Sequence, residues 1–361
     1  MYNKVKSFLL IICVMVLITL YASPTFSQME SIYNESWALL VGINKYKHLP
    51  PQLQLRFAVA DVTSMRQLLI NHFGFRENHI TILTDEQATK QAIEQAMGEF
   101  ADTKKIHEND RVLIYFSGHG QTVTLPNGEE VGYLITHDAN VDLNDATNPT
   151  HYYRTCLGMN RLRELSSYIP AKHVLFLVDA CYSGLATRSI PSLSTGLPNY
   201  LEKVASRPAR QVITAGGRGE PVFEERGHGV FTSKLLDALE HGLADMSPTD
   251  NVTTTSELAA YLRGMVTAYS EGKQNPHDGR FDGEGEFIFQ HPRPTQPPPI
   301  EDREPPKIEM MSQGTRAFTV EGVNGDSPAT KSWVGIATDN TAVKSVYVDG
   351  KEVGLIKTNQ G

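Results

Sequence analysis

The sequence predicts an α/β domain built on a doubly wound, mostly parallel sheet, and three observations carry that reading. Short apolar, β-rich runs alternate along the chain with segments whose apolar residues recur at helical spacing. The runs are apolar throughout instead of at every second position, as strands covered on both faces require. A length of 361 residues, 40% of them hydrophobic and 20% charged, is enough for a large core.

The elements follow in order. "WALLVGI" (37–43), "HITIL" (79–83), "RVLIYF" (111–116), "HVLFLV" (173–178) and "RQVIT" (210–214) predict five strands, and "GEFIF" (285–289) predicts a sixth at an edge. Helical periodicity marks 57–73, 89–101, 159–169, 230–242 and 256–269. Pro126-Asn127-Gly128, between "TVTL" and "VGYLI", predicts a hairpin inserted after the third strand. The expectation is a six-stranded sheet flanked by helices, occupying 28–290.

The flanks differ in kind. Residues 1–27 carry Lys4 and Lys6, an apolar run from Phe8 to Tyr21, then small Thr25 and Ser27. That run is short for a bilayer span of ~20 residues and reads as a secretory signal peptide, an uncleaved membrane anchor being the alternative. Seven of the 20 prolines fall in 291–306, which makes that stretch an extended linker. From 307 to 361 polar and apolar residues alternate, with Asp349-Gly350 as a hairpin signal. That pattern suits the first strands of an immunoglobulin-like β-sandwich, and a full one needs about 100 residues, so the segment reads as a partial domain.

Charge and cysteine content exclude several classes. A net charge of −8, from 33 basic and 41 acidic residues, offers no field for phosphates and argues against a nucleic-acid partner. Of three cysteines, Cys13 lies in the signal. The remaining Cys156 and Cys181 make neither a disulfide scaffold nor a CxxC zinc pair, and Cys156 reads as an unpaired structural thiol.

Ligands of open α/β sheets bind beyond the carboxyl ends of the strands. "RVLIYF" runs directly into "SGHGQ", which puts His119 at such an end; "HVLFLV" runs into "DACYSG", which puts Cys181 at another. If the two strands are neighbours, imidazole and thiol face one cleft across 62 positions of sequence (181 − 119). Such a pair supplies a nucleophile and a general acid/base. Gly118 and Gly120 permit close approach of backbone to substrate, and the amides of Gly120 and Cys181 are candidates for an oxyanion hole. A buried, inert cysteine is the ordinary alternative for either strand end alone; the coincidence of both favours chemistry. A second "GHG", at 227–229, precedes a helical pattern, so His228 reads as part of a helix start and not as a catalytic group.

The motifs "YFSGHG" and "DACYSG", with "ALLVGINKY" opening the first strand, resemble the caspase-like cysteine peptidases, and most of all bacterial metacaspases, from about Trp37 to Phe289. The resemblance implies a caspase-like fold that hydrolyses peptide bonds of peptide or protein substrates through a thioester. Cys181 would be the nucleophile and His119 the base and then the acid, with no cofactor for the chemistry. Together with the signal it implies an exported enzyme, periplasmic or extracellular.

Asp179 matches a metacaspase pocket acid, and Asp61 falls where that family carries an acid at a helix start; two acids near one pocket favour cleavage after Arg or Lys. Against this, Arg56 lies near the place of a caspase pocket arginine, and Asp61 has the alternatives of capping a helix or pairing with Arg66. The long loop after Cys181 holds Arg188, Lys203, Arg207 and Arg210 as candidates for self-processing. Acidic segments 136–145 and 278–286 make calcium a candidate activator, although neither spells an EF-hand. A catalytically silent scaffold that binds protein partners is the alternative to an enzyme.

Overall fold

The computed structural model describes residues 32–146, 148–181, 200–217, 220, 223–225, 227–246 and 249–292, together with four short strands between 307 and 353. The expected signal segment 1–27, residues 293–306 of the expected linker 291–306, and Arg188 lie outside the described residues. The chain divides into two units, Met1–Arg293 and Pro294–Gly361.

In the first unit β1 (Ser36–Gly42) leads to α1 (Ala58–Phe73), β2 (Ile80–Thr84), α2 (Lys90–Glu99) and β3 (Arg111–Ser117). The hairpin β4 (Gly120–Thr124) and β5 (Glu130–Leu134) follows, then α3 (Pro149–Thr155), β6 (Leu157–Gly158), α4 (Met159–Ser167) and β7 (His173–Cys181). Next come α5 (Tyr200–Ser206), β8 (Ala209–Gly216), a ribbon of β9 (Glu224–Glu225) and β10 (His228–Gly229), and α6 (Val230–Glu240). The unit closes with β11 (Val252–Thr254), α7 (Thr255–Tyr269), β12 (His277–Gly283) and β13 (Ile288–Gln290).

The main sheet runs β12-β8-β7-β3-β1-β2. All neighbours are parallel except β12, which is antiparallel to β8. Alternation along the central strands splits the core between two faces. Val112, Ile114 and Phe116 of β3, with Val174, Phe176 and Val178 of β7, pack with Ile93 and Met97 of α2 and Leu162 of α4. Leu113, Tyr115, Leu175 and Leu177 pack against Val62 and Leu69 of α1, Leu235 of α6 and Leu262 of α7. Both faces are covered, which is why these strands are apolar from end to end. By the same alternation Ser117 and Asp179, the last polar residues of the two strands, face α1 and α6.

Two expectations need correction. The sixth strand of the sheet is β12, whose "HDGRFDG" reads as an acidic loop; an antiparallel edge strand has a single neighbour and tolerates glycine and charge. The "GEFIF" segment instead gives β13, which pairs with β11 outside the main sheet while Phe287 and Phe289 fill the α1/α7 face. Arg210, a candidate cleavage site, sits inside β8, paired with Val174 on one side and Asp282 on the other. Its guanidinium donates to the carbonyls of Ser166, Ile169 and Lys172 at 3.2, 2.7 and 2.9 Å, so cutting after it would require opening the sheet.

In the second unit β14 (Lys307–Met310) pairs with β15 (Gly335–Thr338), and β16 (Val346–Val348) pairs with β17 (Lys351–Val353); the expected turn residues Asp349 and Gly350 lie outside the described residues. These two antiparallel pairs do not establish the expected sandwich.

Candidate active site

The two strand ends singled out in the sequence are adjacent. β3 and β7 pair in parallel with Ser117 opposite Asp179, and the Gly118 amide donates to the Asp179 carbonyl at 3.1 Å. His119 and Cys181 each follow that pair by two residues. Cys181 ends β7 opposite Gly216 of β8; its side chain is outside the described set.

His119 is fixed from the β1–α1 connection. Its amide donates to the Tyr46 hydroxyl at 2.7 Å, and the two rings pack at 5.0 Å. A Cβ at Gly118 would come within 2.7 Å of that hydroxyl, so the contact demands glycine there. Nε2 lies 2.7 Å from the Leu53 carbonyl oxygen. A carbonyl only accepts, so Nε2 carries the hydrogen and Nδ1 is the basic nitrogen of the neutral ring. Burial lowers the His119 pKa below the usual imidazole value, against the opposing pull of the Leu53 carbonyl. The ring is therefore neutral, and able to accept a proton, near pH 7.

At the Ser117–Asp179 pair lie two buried acids, Asp61 from the first turn of α1 and Asp179 itself, at 1% and 2% exposure. Asp61 accepts from Ser117 Oγ at 3.0 Å on Oδ2 and contacts His228 Nδ1 at 2.7 Å through Oδ1. Arg66, its suggested surface partner, pairs with Glu77 instead. Asp179 Oδ2 accepts from the Thr232 hydroxyl at 2.5 Å and the Thr232 amide at 3.2 Å, whereas its Oδ1 is buried with no hydrogen-bond partner among the described residues. Burial pushes both carboxyls up, to about 7, and Asp179 is raised further by the charge of Asp61. Glu224 in β9 adds a third acid whose charge raises both. Arg56 points to solvent, its Nε 4.0 Å from Glu224.

A caspase domain model matches residues 35–278 of this chain. The chain belongs to the caspase family. Among its relatives are Metacaspase-1B of Aspergillus oryzae, 34% identical over 194 residues, which are 51% of this chain and 43% of that protein. Metacaspase-7 of Arabidopsis thaliana is 33% identical over 184 residues, 47% of this chain and 41% of its own. The caspase-family chain thus spans less than half the length of these curated relatives. Among solved structures, a Geobacter sulfurreducens protein aligns over 72% of this chain and 98% of its own at a TM-score of 0.46 and 18% identity, too low a likeness to argue from.

Several residues of this caspase site escape sequence reasoning. Tyr46 closes the "ALLVGINKY" motif, but no role was read from it, and Leu53 lies in a connection without a motif. Glu224 and His228 reach Asp61 and the start of α1 from more than 160 positions away. Ser117 was legible in principle, as the polar residue between the β3 apolar run and His119.

Carboxylates of the acidic segments are engaged within the chain. Asp138 accepts from the Lys90 amide at 3.0 Å, at the start of α2, and Asp142 from the Asn144 amide at 2.9 Å. Asp278 pairs with Arg263, Glu284 with Arg207, and Glu286 accepts from Ser256. Among the described residues no group of three or more His, Cys, Asp or Glu could hold a metal ion. Cys156 is fully buried, and desolvation pushes its thiol up to about 12, which makes it a packing residue and not a nucleophile. No helix among the described residues is long and apolar enough to cross a membrane.

Proposed function

We propose that this chain is an exported cysteine endopeptidase that cuts protein or peptide substrates after Arg or Lys, with Cys181 and His119 as its dyad. His119 Nδ1 takes the thiol proton, and the thiolate attacks the scissile carbonyl. The amides of Gly120 and Cys181 receive the developing oxyanion. The imidazolium then returns its proton to the leaving amine, a thioester forms, and a water deprotonated by the same ring releases the acid product.

The observation that carries the specificity is the unpartnered Asp179 Oδ1, buried beside Asp61 at the rim that leads to both dyad residues. A buried carboxylate oxygen without a donor is costly, and a guanidinium or ammonium group supplies that donor. An acidic side chain would instead meet Asp61, Asp179 and Glu224 together. Paired fluorogenic peptides ending in Arg or Asp test this: Arg turnover is expected, and turnover of the Asp peptide alone refutes it. Fast, His119-dependent alkylation of Cys181 by iodoacetamide separates the enzyme from a silent scaffold.

Self-processing is part of the reading, with Arg188, Lys203 and Arg207 as the candidate positions. Lys203 and Arg207 are exposed, on α5 and just after it. Identical fragments from Cys181→Ala protein would exclude it.

A further inference from the structure

The two acids of the recess are not equally available. Asp179 presents an unpartnered oxygen, whereas Asp61 is fully engaged by Ser117, the Gly229 amide at 3.4 Å and the His228 ring at 2.7 Å. With Asp61 only 1% exposed, a substrate cation has no route to its Oδ1 while that ring is in place. We infer that His228 is the resident partner of Asp61 and a specificity-determining residue, which the arginine or lysine of the substrate must displace. The inference rests on the Arg/Lys reading above and adds a competitor to it.

The ribbon around His228 is built so that the ring is its movable part. Glu224 Oε1 accepts from the amides of Arg56 and Phe57 at 3.1 and 2.9 Å, tying β9 to the start of α1, which has no side-chain cap of its own. The Val230 amide donates to the Phe223 carbonyl at 2.8 Å. Gly229 lies so close to Asp179 that a Cβ there would fall 2.3 Å from Oδ2. The backbone is thus pinned on both sides of the histidine. The His228 side chain itself is 30% exposed, so rotation about χ1 and χ2 carries the ring outward without disturbing the core.

Relative donor strength decides who wins the recess. One imidazole N–H is a weaker partner for a carboxylate than the forked guanidinium, and side chains that carry no cation gain too little to evict it. His228 therefore makes entry depend on a cation, and favours Arg over Lys.

Peptide kinetics on His228→Ala test the inference. The expected result is a KM for the Arg peptide that falls about tenfold, the worth of one charge-assisted bond, with kcat within about twofold of wild type. His228→Asn, which keeps a donor near the position of Nδ1, should hold KM close to wild type. An unchanged or higher KM in the alanine variant, with Arg peptides still cut, overturns the inference alone. Turnover of only the Asp peptide overturns it together with the basic-pocket reading. Should the alanine variant melt early, Cys181→Ala protein titrated with a product-like peptide ending in Arg gives a second readout. The His228 ring resonance, assigned by its loss in His228→Asn, is expected to shift as the peptide saturates; a fixed resonance at saturation overturns the inference.

Discussion

The two ends of β3 and β7 bury ionisable groups equally well and use them in opposite ways. At the amino ends Arg111 opens β3 and His173 opens β7, at 5% and 0% exposure. Arg111 donates to Ser36 Oγ and to the carbonyls of Ile288 and Phe73 at 2.9, 2.8 and 2.8 Å, and lies 4.8 Å over the rings of Tyr33 and Phe75. His173 Nε2 donates to the Arg207 carbonyl at 2.8 Å and Nδ1 accepts from the Tyr33 hydroxyl at 2.5 Å, while burial drives its pKa down to about 3 and keeps it neutral. At the carboxyl ends two like-charged acids crowd together, and one oxygen has no partner among the described residues. Burial with every bond made is architecture; burial with a bond missing is a place for a ligand.

The sharpest way to break this contrast is to remove one group from each end. His119→Ala is expected to lower kcat/KM for the Arg peptide by about 10²- to 10⁴-fold, because it removes the proposed general base. Its stability should fall by only about 1 kcal/mol, since the backbone amide keeps its bond to Tyr46 and only the Leu53 bond and the ring packing are lost. Arg111→Ala strands three buried acceptors and leaves a cavity among Tyr33, Phe75 and Phe287, at a cost of about 3 kcal/mol or more. Urea denaturation and peptide turnover on both proteins check the pair. A His119→Ala protein that loses as much stability as Arg111→Ala would erase the distinction.

Asp179→Asn sharpens it, with a smaller effect and an unusual sign. Turnover of the Arg peptide should fall about ten- to a hundredfold as the charge-assisted contact is lost. Stability should not fall with it. A carboxyl raised from 3.8 to about 7 by burial holds its proton in the folded state when the unfolded chain has lost its own. Folding stability therefore declines as pH rises from about 4 through 7. His173, depressed from 6.5 to about 3, works the other way: its contribution is lost as pH falls from 6.5 toward 3. The wild-type profile mixes both signs, so the informative curve is the difference between Asp179→Asn and wild type. That difference should favour the variant increasingly from pH 5 to pH 8. A difference that is flat, or slopes the other way, shows that Asp179 ionises freely and is no strained recess acid.

What the sequence disclosed follows the same division. The four inner strands were legible because a strand covered on both faces must be apolar; β2 at one edge keeps an apolar run, whereas the glycines and charges of β12 at the other edge hide it. His119 and Cys181 were legible because each stands just beyond an apolar run, whereas the role of Asp179 came from resemblance. Asp61 was placed only by resemblance, and its partners Ser117 and His228 were not foreseen. The contact with His228 spans 167 positions and is set by where the β9–β10 ribbon lands on α1, which no local pattern encodes. The anchors of Arg111 are likewise invisible, since carbonyls leave no mark in a sequence.

Tyr46→Phe probes the boundary between the two kinds of burial and should have the smallest effect. The hydroxyl accepts from the His119 amide at 2.7 Å, and burial raises its pKa far above the usual phenol value, so it stays protonated. Removing it leaves that amide without an acceptor, a loss of about 1–2 kcal/mol, while the ring packing against His119 survives. The loss should be divided between stability and activity. The loop carrying His119 loosens, kcat falls about three- to tenfold, and KM for the Arg peptide stays put because the acid recess is untouched. A rise in KM with kcat intact would place Tyr46 among the recess groups instead. That outcome would shift the dividing line between architecture and chemistry from the strand ends to the connection before α1.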